Sequence, residues 1–324
     1  MFAVFAARQS TDDPLSALEL GDRPEPEVPS GWSRVRLRAS SLNHHDLWSL
    51  RGVGLPADRL PMTLGCDGAG VDDDGNEVVV HAVVSSPGWA GDETEDPKRS
   101  LLSEVHQGTF ADQVVVPTRN LVPKPPGLTF EQAACMPTAW LTAYRMLFTK
   151  SQVSPGGTVL VQGAGGGVAS ALIALGHAAG YRVWATSRDE SRRAKAVELG
   201  ADEAYETGAR LPERVDAVFE TVGKATWSHS LKSLRPGGTL VVSGATSGAD
   251  PSADLNRVFF LQLRVVGSTM GTRDELVRLG RFLETTGVRP LVHATMPLED
   301  ATVGFAAMES GDVFGKVVFT RPSR

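Results

Sequence analysis

The sequence predicts an α/β chain of two domains, a small β-barrel and a doubly wound parallel sheet, with the last stretch of chain returning to the barrel. Three observations carry this. Residues 158–193 read strand, glycine-rich turn, helix, strand; strands and helices then alternate as far as residue 287; and several short strands with turns between them occupy the first 120 residues. At 324 residues the chain is long enough for two separate cores.

In chain order, residues 1–7 and 33–39 read as strands, the second alternating Val35, Leu37 and Ala39 with Arg34, Arg36 and Arg38. A Pro-rich polar connection, 22–31, lies between them. Residues 43–50 suit one or two helical turns, 61–70 is a strand entry with glycines where backbones crowd, and 77–84 is a strongly β-branched strand. Residues 87–104 are polar and charged, as in a surface loop, and 108–117 is another strand. The Pro-rich link 122–127 marks a boundary, so the expected domains are 1–121 with 288–324, and 122–287. Helices are expected at 129–137, with Thr129 as N-cap and Glu131 in its first turn, and at 139–150. Strands at 203–205, 215–220, 239–243 and 263–268 then alternate with helices at 225–234 and 273–286. A short strand, a helix at 298–309 and a final strand at 316–320 close the chain.

The 158–193 stretch is the first with chemical content. Its apolar run 158–162 suits a buried strand, and four glycines in the next five residues precede a small-residue helix, 168–179. Glycines there let a backbone approach a pyrophosphate, and the free N–H groups of the helix's first turn bind its charge. Counted back from the helix, the three key positions fall on Ala164, Gly166 and Ala169, so Ala164, Gly165, Gly166, Gly167 and Val168 form the expected dinucleotide cradle.

The end of the second strand separates the two nicotinamide dinucleotides. An acidic residue would bind a ribose diol and repel a 2′-phosphate, but this chain reads Thr186-Ser187-Arg188, with Arg192 and Arg193 one turn on. A hydroxyl and guanidinium groups suit a phosphate dianion, which points to NADP(H). Ser187 and Glu190 also read as a capping box for a helix over 189–199, with the arginines as its solvated face.

Composition excludes several classes. A net charge of −6 argues against nucleic acid as a partner, and two cysteines, Cys66 and Cys135, rule out a disulfide framework and fit a reducing cytoplasm. Residues 1–8 lack the basic start and cleavage site of a signal peptide, and no apolar stretch is long enough to span a membrane.

Seven segments in the right order now carry a resemblance: NHHDLWSLRG (43–52), LGCDGAG (64–70), GTFADQVVVP (108–117), LTAYRML (141–147), the glycine turn, RPGGTLVVSGA (235–245) and GKVVF (315–319). Over essentially its whole length the chain resembles the medium-chain dehydrogenase/reductase superfamily. The resemblance implies a GroES-like barrel joined to a Rossmann domain, an active site in the cleft between them, hydride transfer involving nicotinamide, and a homodimer built through the edge strand at 263–268. Carried over by motif position, Asn43 would donate near the nicotinamide ribose or the substrate oxygen. Thr142 would line the nicotinamide face, Gly244 and Ala245 would pass close to the ring, and Lys316 would return to the cofactor cleft. Pocket walls are expected near Trp48, Leu50 and Met270.

Zinc divides that superfamily. The ligand positions of its zinc alcohol dehydrogenases fall here on Asn43, Cys66 and Ala139, and catalytic zinc normally takes three protein ligands. The expectation is therefore no metal. Cys135, one helical turn before the third position, reads as a small core residue. Asn43-x-x-Asp46 is similar to the signature of the zinc-free branch, which resembles quinone oxidoreductases and enoyl reductases. Conjugated acceptors spread negative charge onto a distant oxygen, so cofactor and geometry supply most of the catalysis. The expected activity is thus NADPH-dependent reduction of a small-molecule quinone or α,β-unsaturated carbonyl. The catalytic candidates are Asn43, His44, His45 and Asp46, with His44 or His45 supplying the proton. Two other readings stand beside this one: a zinc-type alcohol dehydrogenase, and an NADPH-binding protein with little turnover.

Overall fold

The computed structural model describes residues 1–322 and divides the chain into two compact units, Met1–Leu141 with Met270–Arg324, and Thr142–Thr269. These boundaries lie inside the expected second domain and not at 121/122 and 287/288. The cause is side-chain burial. Helix Phe130–Ala134 packs on strands Trp32–Ser41 and Asp67–Asp72, and helix Arg273–Thr286 packs on strand Leu121–Pro123. The second of these buries Leu276, Leu279 and Leu283 along one stripe, so it follows its apolar face into the first unit.

In the first unit a seven-stranded sheet runs Leu121–Pro123, Glu77–Val80, Asp67–Asp72, Trp32–Ser41, Lys316–Thr320, Val292–Pro297, with Gln113–Pro117 also paired to Trp32–Ser41. Alternation along Trp32–Ser41 buries Val35, Leu37 and Ala39 and leaves Arg36 exposed. The final strand pairs antiparallel with it, Phe319 opposite Ser40. A three-stranded sheet joins Leu18–Asp22, Phe2–Ala6 and Met62–Thr63. Leu18–Asp22 has no counterpart in the sequence reading, because LELGD carries neither β-branched residues nor clear alternation. The expected strand over 77–84 is two, Glu77–Val80 and Val83–Val84, because the chain changes partner past His81: the first pairs with Leu121–Pro123 and Asp67–Asp72, the second with Ser100–Leu101. Phe305 and Phe319 stack at 9°, and Phe110 stands edge-on to both at 87°. All three rings are fully buried, each contributing about 1.5–3 kcal/mol.

The second unit is a six-stranded, wholly parallel sheet. Its order is Glu203–Tyr205, Arg182–Thr186, Thr158–Val161, Val215–Glu220, Leu234–Val242, Arg264–Gly267. In sequence terms this is 3-2-1-4-5-6, so the strand order reverses between Thr158–Val161 and Val215–Glu220. Open sheets of this kind bind ligands outside the carboxyl ends of their strands at that reversal. Thr158–Val161 is buried throughout, as a strand covered on both faces requires. The glycine turn leaves from its end.

Candidate active site

The turn after Thr158–Val161 is shaped by its glycines. Gly163 (φ +78) and Gly165 (φ +135) adopt backbone conformations that a side chain resists, and Gly166 is the N-cap of helix Gly167–Ala178. A Cβ built on Gly166 meets nothing within 4 Å, so the space over the helix N-terminus is open. The N–H groups of Gly167, Val168 and Ala169 lack intrahelical partners, as in any first turn. Ala164 N donates to Thr186 O (2.7 Å), tying the turn to the neighbouring strand. An open cradle of backbone donors fits a pyrophosphate.

At the end of Arg182–Thr186 the expected cap is corrected. Helix Glu190–Glu198 is capped by Asp189, whose Oδ1 accepts from Arg192 N (3.0 Å), while Ser187 Oγ accepts from Asp189 N (3.2 Å). With Asp189 as N-cap, Glu190 is the first helical residue and not the third, so a Ser187–Glu190 box cannot form. The Arg193 guanidinium donates to Ser187 O (2.9 Å), and Arg188 is exposed. Arg192 is half-buried. No acidic residue occupies the strand end itself. In the same unit Thr142 is buried, and Gly244 and Ala245 are half-buried just past Leu234–Val242, with Gly244 backed by Thr221.

In the first unit, three consecutive residues before and at the start of Asp67–Asp72 are each tied to the start of helix His44–Leu50. Gly65 N donates to Asp46 Oδ1 (3.0 Å), Cys66 Sγ lies 3.3 Å from His45 Nδ1, and Asn43 Nδ2 donates to Asp67 Oδ2 (2.9 Å). Asp46 Oδ2 also accepts from Asn43 N (2.9 Å), closing the helix start on itself. Lys316, from the last strand, completes the cluster: its Nζ donates to Leu42 O (2.7 Å) and Asn43 Oδ1 (2.5 Å) and pairs with Asp67 Oδ2 (3.4 Å). Side-chain exposure is 2% for Lys316 and 0% for Asp67, so this ion pair is fully dehydrated. Asn43 Nδ2 donates in addition to Ser41 O (3.3 Å). Both amide hydrogens of Asn43 are therefore engaged, and what it has left to offer is a lone pair on Oδ1.

The two histidines are placed differently. His45 Nε2 is 2.8 Å from Glu104 Oε1, so both its ring nitrogens are occupied. Burial pushes its pKa down, but the Cys66 sulfur, the Glu104 carboxylate and Asp46 outweigh this and hold it well above 6.5. Burial pushes the Cys66 thiol up, so at neutral pH it is S–H, donating to Leu102 O (3.2 Å). His44 is exposed, and partial desolvation with the charges of Lys316 and Arg51 lowers its pKa. Burial raises Asp46 to about 6, against the pull of His45 and the Asn43 N–H. Leu50 sits in the hydrophobic core, so it walls no pocket; Met270 packs with Cys66, and Trp48 is half-exposed. Sequence reasoning missed Glu104, placed in a charged loop 59 residues from His45.

Two family models cover most of the chain. That of the alcohol dehydrogenase GroES-like domain matches residues 29–126, and that of the zinc-binding dehydrogenases matches 167–285. A crystal structure of an NAD-dependent alcohol dehydrogenase is 35% identical, with a TM-score of 0.91, and the match covers 99% of this chain and 100% of that one. The chain belongs to the medium-chain dehydrogenase/reductase superfamily. Its units are accordingly a GroES-like domain and a Rossmann-like parallel-sheet domain. Crotonyl-CoA reductase of Streptomyces collinus is 28% identical, the match covering 92% of this chain and 80% of the relative. The structure of a 2-octenoyl-CoA carboxylase reductase in complex with NADP and 2-octenoyl-CoA has the same fold, at 24% identity, TM-score 0.89, and coverage of 98% and 87%.

Catalytic zinc, which the second family model's description implies, does not fit the residues present. Ala139 has no donor atom and the Asn43 amide is committed to Lys316, Asp67 and Ser41, which leaves Cys66 as the one of the three positions with a zinc-ligating atom, where catalytic zinc normally takes three protein ligands. Burial lifts Cys135 to about 12, the behaviour of an inert core thiol. Among the described residues no group of three His, Cys, Asp or Glu is arranged to hold a metal ion. Nor, among them, is any helix long and apolar enough to cross a membrane.

Proposed function

We propose that this superfamily member is a zinc-independent, NADPH-dependent reductase of α,β-unsaturated carbonyl compounds, with enoyl thioesters as the first substrate class to test and quinones the second. The observation that carries the reading is the ligand set: of the three zinc positions Ala139 has no donor atom, and the Asn43 Oδ1 accepts from a lysine ammonium buried beside it. An acceptor that delocalises its own charge has least need of a Lewis acid. The crotonyl-CoA reductase relative supports the substrate class.

Bound NADPH supplies the hydride. The cradle formed by Ala164, Gly165, Gly166, Gly167 and Val168 holds its pyrophosphate, and Ser187, Arg188 and Arg192 select the 2′-phosphate. Thr142, Gly244, Ala245 and Lys316 keep the cofactor roles their motif positions imply, Lys316 acting through Asn43. Asn43 accepts a hydrogen bond through Oδ1 and does not donate one. His44 is the better proton donor of the pair, since it is exposed while both His45 nitrogens are engaged; Asp46 orients the helix that carries them. The protein works as a homodimer through the edge strand Arg264–Gly267. Val265 on that strand is 46% exposed, and Phe259 and Phe260 on the preceding helix, Leu255–Phe260, are 67% and 79% exposed, apolar side chains that a second copy would cover. Two free, buried cysteines suit a cytoplasmic location.

The test is NADPH and NADH oxidation with crotonyl-CoA, a 2-alkenal, 9,10-phenanthrenequinone and a simple ketone. The proposal expects NADPH to be preferred and the conjugated acceptors to be reduced, with Arg188→Ala weakening NADPH binding while leaving NADH binding unchanged. Reduction of the ketone alone would favour the alcohol dehydrogenase reading, and tight NADPH binding without turnover the binding-protein reading.

A further inference from the structure

Beneath the glycine turn lies a buried polar network that the dinucleotide fingerprint does not require. Gln162, the residue after Thr158–Val161, is fully buried. Its Oε1 accepts from Thr186 Oγ1 (2.7 Å), and its Nε2 donates to Ser230 Oγ (3.0 Å) and His229 Nδ1 (2.9 Å). Thr186 Oγ1 in turn accepts from Gly163 N (3.3 Å), the first N–H of the glycine turn. Ser230 Oγ donates to Glu220 Oε2 (2.7 Å), and Glu220 Oε1 accepts from Val222 N (2.8 Å) and Gly223 N (3.0 Å). His229 Nε2 faces Ala209 O (2.8 Å), an acceptor only, so Nε2 carries the ring hydrogen and Nδ1 is free to accept from Gln162.

We propose that Gln162 and Thr186, held by Ser230 and Glu220, are positioning residues for dinucleotide binding: they fix the glycine turn in the conformation that receives the pyrophosphate. The inference rests on the reading that this unit binds NADPH. The network joins the carboxyl ends of Thr158–Val161, Arg182–Thr186 and Val215–Glu220, the three strands flanking the reversal of strand order. It grips the turn from two sides. Thr186 holds Gly163 by its N–H, while Val222, fixed through Glu220, packs against the other face of Gly163, where an added Cβ would lie 2.8 Å from the Val222 side chain. Burying a glutamine, a threonine, a serine, a histidine and a carboxylate is costlier than burying hydrocarbon of the same volume, and such networks return orientation more than stability. A strand needs no such anchor to pair; a loop that must present its N–H groups to a ligand does.

The test uses the full-length protein, with NADPH affinity read by calorimetric titration. Thr186→Val removes the hydroxyl with almost no change of shape, and Thr186→Ser restores it. The expected result is a Kd for NADPH raised roughly 5- to 10-fold in Thr186→Val, with Thr186→Ser near wild type. Turnover of crotonyl-CoA at saturating NADPH should be unchanged. Ser230→Ala, further from the turn, should weaken binding in the same direction by a smaller factor, and it serves if Thr186→Val fails to fold. NADPH affinity of Thr186→Val or Ser230→Ala equal to wild type overturns the inference, as does a Thr186→Ser protein as weak as Thr186→Val. A wild-type protein that binds neither NADPH nor NADH overturns the cofactor reading itself, a result distinct from these.

Discussion

Lys316→Met removes one partner of the buried ion pair while keeping the length and most of the bulk of the side chain. It strands the Asp67 carboxylate, already 0% exposed with its Oδ1 lacking any partner, and it takes a donor from Leu42 O and Asn43 Oδ1. Breaking a buried pair from one side costs about 3–5 kcal/mol, because the remaining charge can be neither solvated nor matched. Spread over a unit of roughly 200 residues, where each kcal/mol moves the midpoint by about 2–4 °C, this lowers Tm by about 10 °C. Differential scanning calorimetry of the cofactor-free protein reads it. The double variant Lys316→Met/Asp67→Asn should recover part of the loss, with a coupling energy of about 1–3 kcal/mol. A single variant that melts within about 2 °C of wild type would refute the claim that the ammonium is the cluster's structural cation.

Other consequences follow from the same geometry. Gly166→Ala should leave Tm unchanged, since φ is −69 and the new Cβ meets nothing, yet weaken NADPH binding about tenfold or more by filling the cradle; equal affinity would mean that the pyrophosphate lies elsewhere. Stability should fall as pH rises. His45 binds its proton more tightly in the folded state, so its contribution is complete below 6.5 and disappears as pH climbs through its raised folded value. Asp46, raised from 3.8 to about 6, adds a loss of the same sign over that interval. Glu104→Gln should therefore destabilise by about 1 kcal/mol below pH 6.5 and by less at higher pH; denaturant unfolding that gave a constant difference from pH 6 to 9 would remove Glu104 from the His45 network. Val265→Asp should convert the dimer to a monomer in light scattering, and a wild-type protein that is itself monomeric would end the edge-strand proposal.

The sequence made the parallel sheet legible because its strands are continuous apolar runs punctuated by glycine. Strands 203–205 and 215–220 and helix 273–286 fall on the expected residues. The small strands of the first unit were harder. Met62–Thr63 and Ser100–Leu101 are two residues long, too short for any period to register. The Pro-rich link at 122–127 reads as a boundary, whereas helix 130–134 beyond it packs on strands Trp32–Ser41 and Asp67–Asp72, contacts that no local pattern announces. In the site, the Asn43–Asp46 and Gly65–Asp67 segments were each visible as motifs. That they zip together residue by residue, and that Lys316 enters between them, depends on pairings 249 and 273 residues apart. The Gln162 network escaped for a related reason: a polar residue at a strand end reads as the strand's limit until its partners on neighbouring strands are seen.

The central claim, conjugate reduction without zinc, is tested most directly by assaying metal-stripped protein. Zinc content would be measured by mass spectrometry on the same sample in which NADPH oxidation with crotonyl-CoA is followed at 340 nm. The account predicts full turnover at well under a tenth of a zinc ion per chain, about the level of contamination, and no gain when zinc is added back. Activity that falls in step with zinc content and returns with added zinc would contradict it.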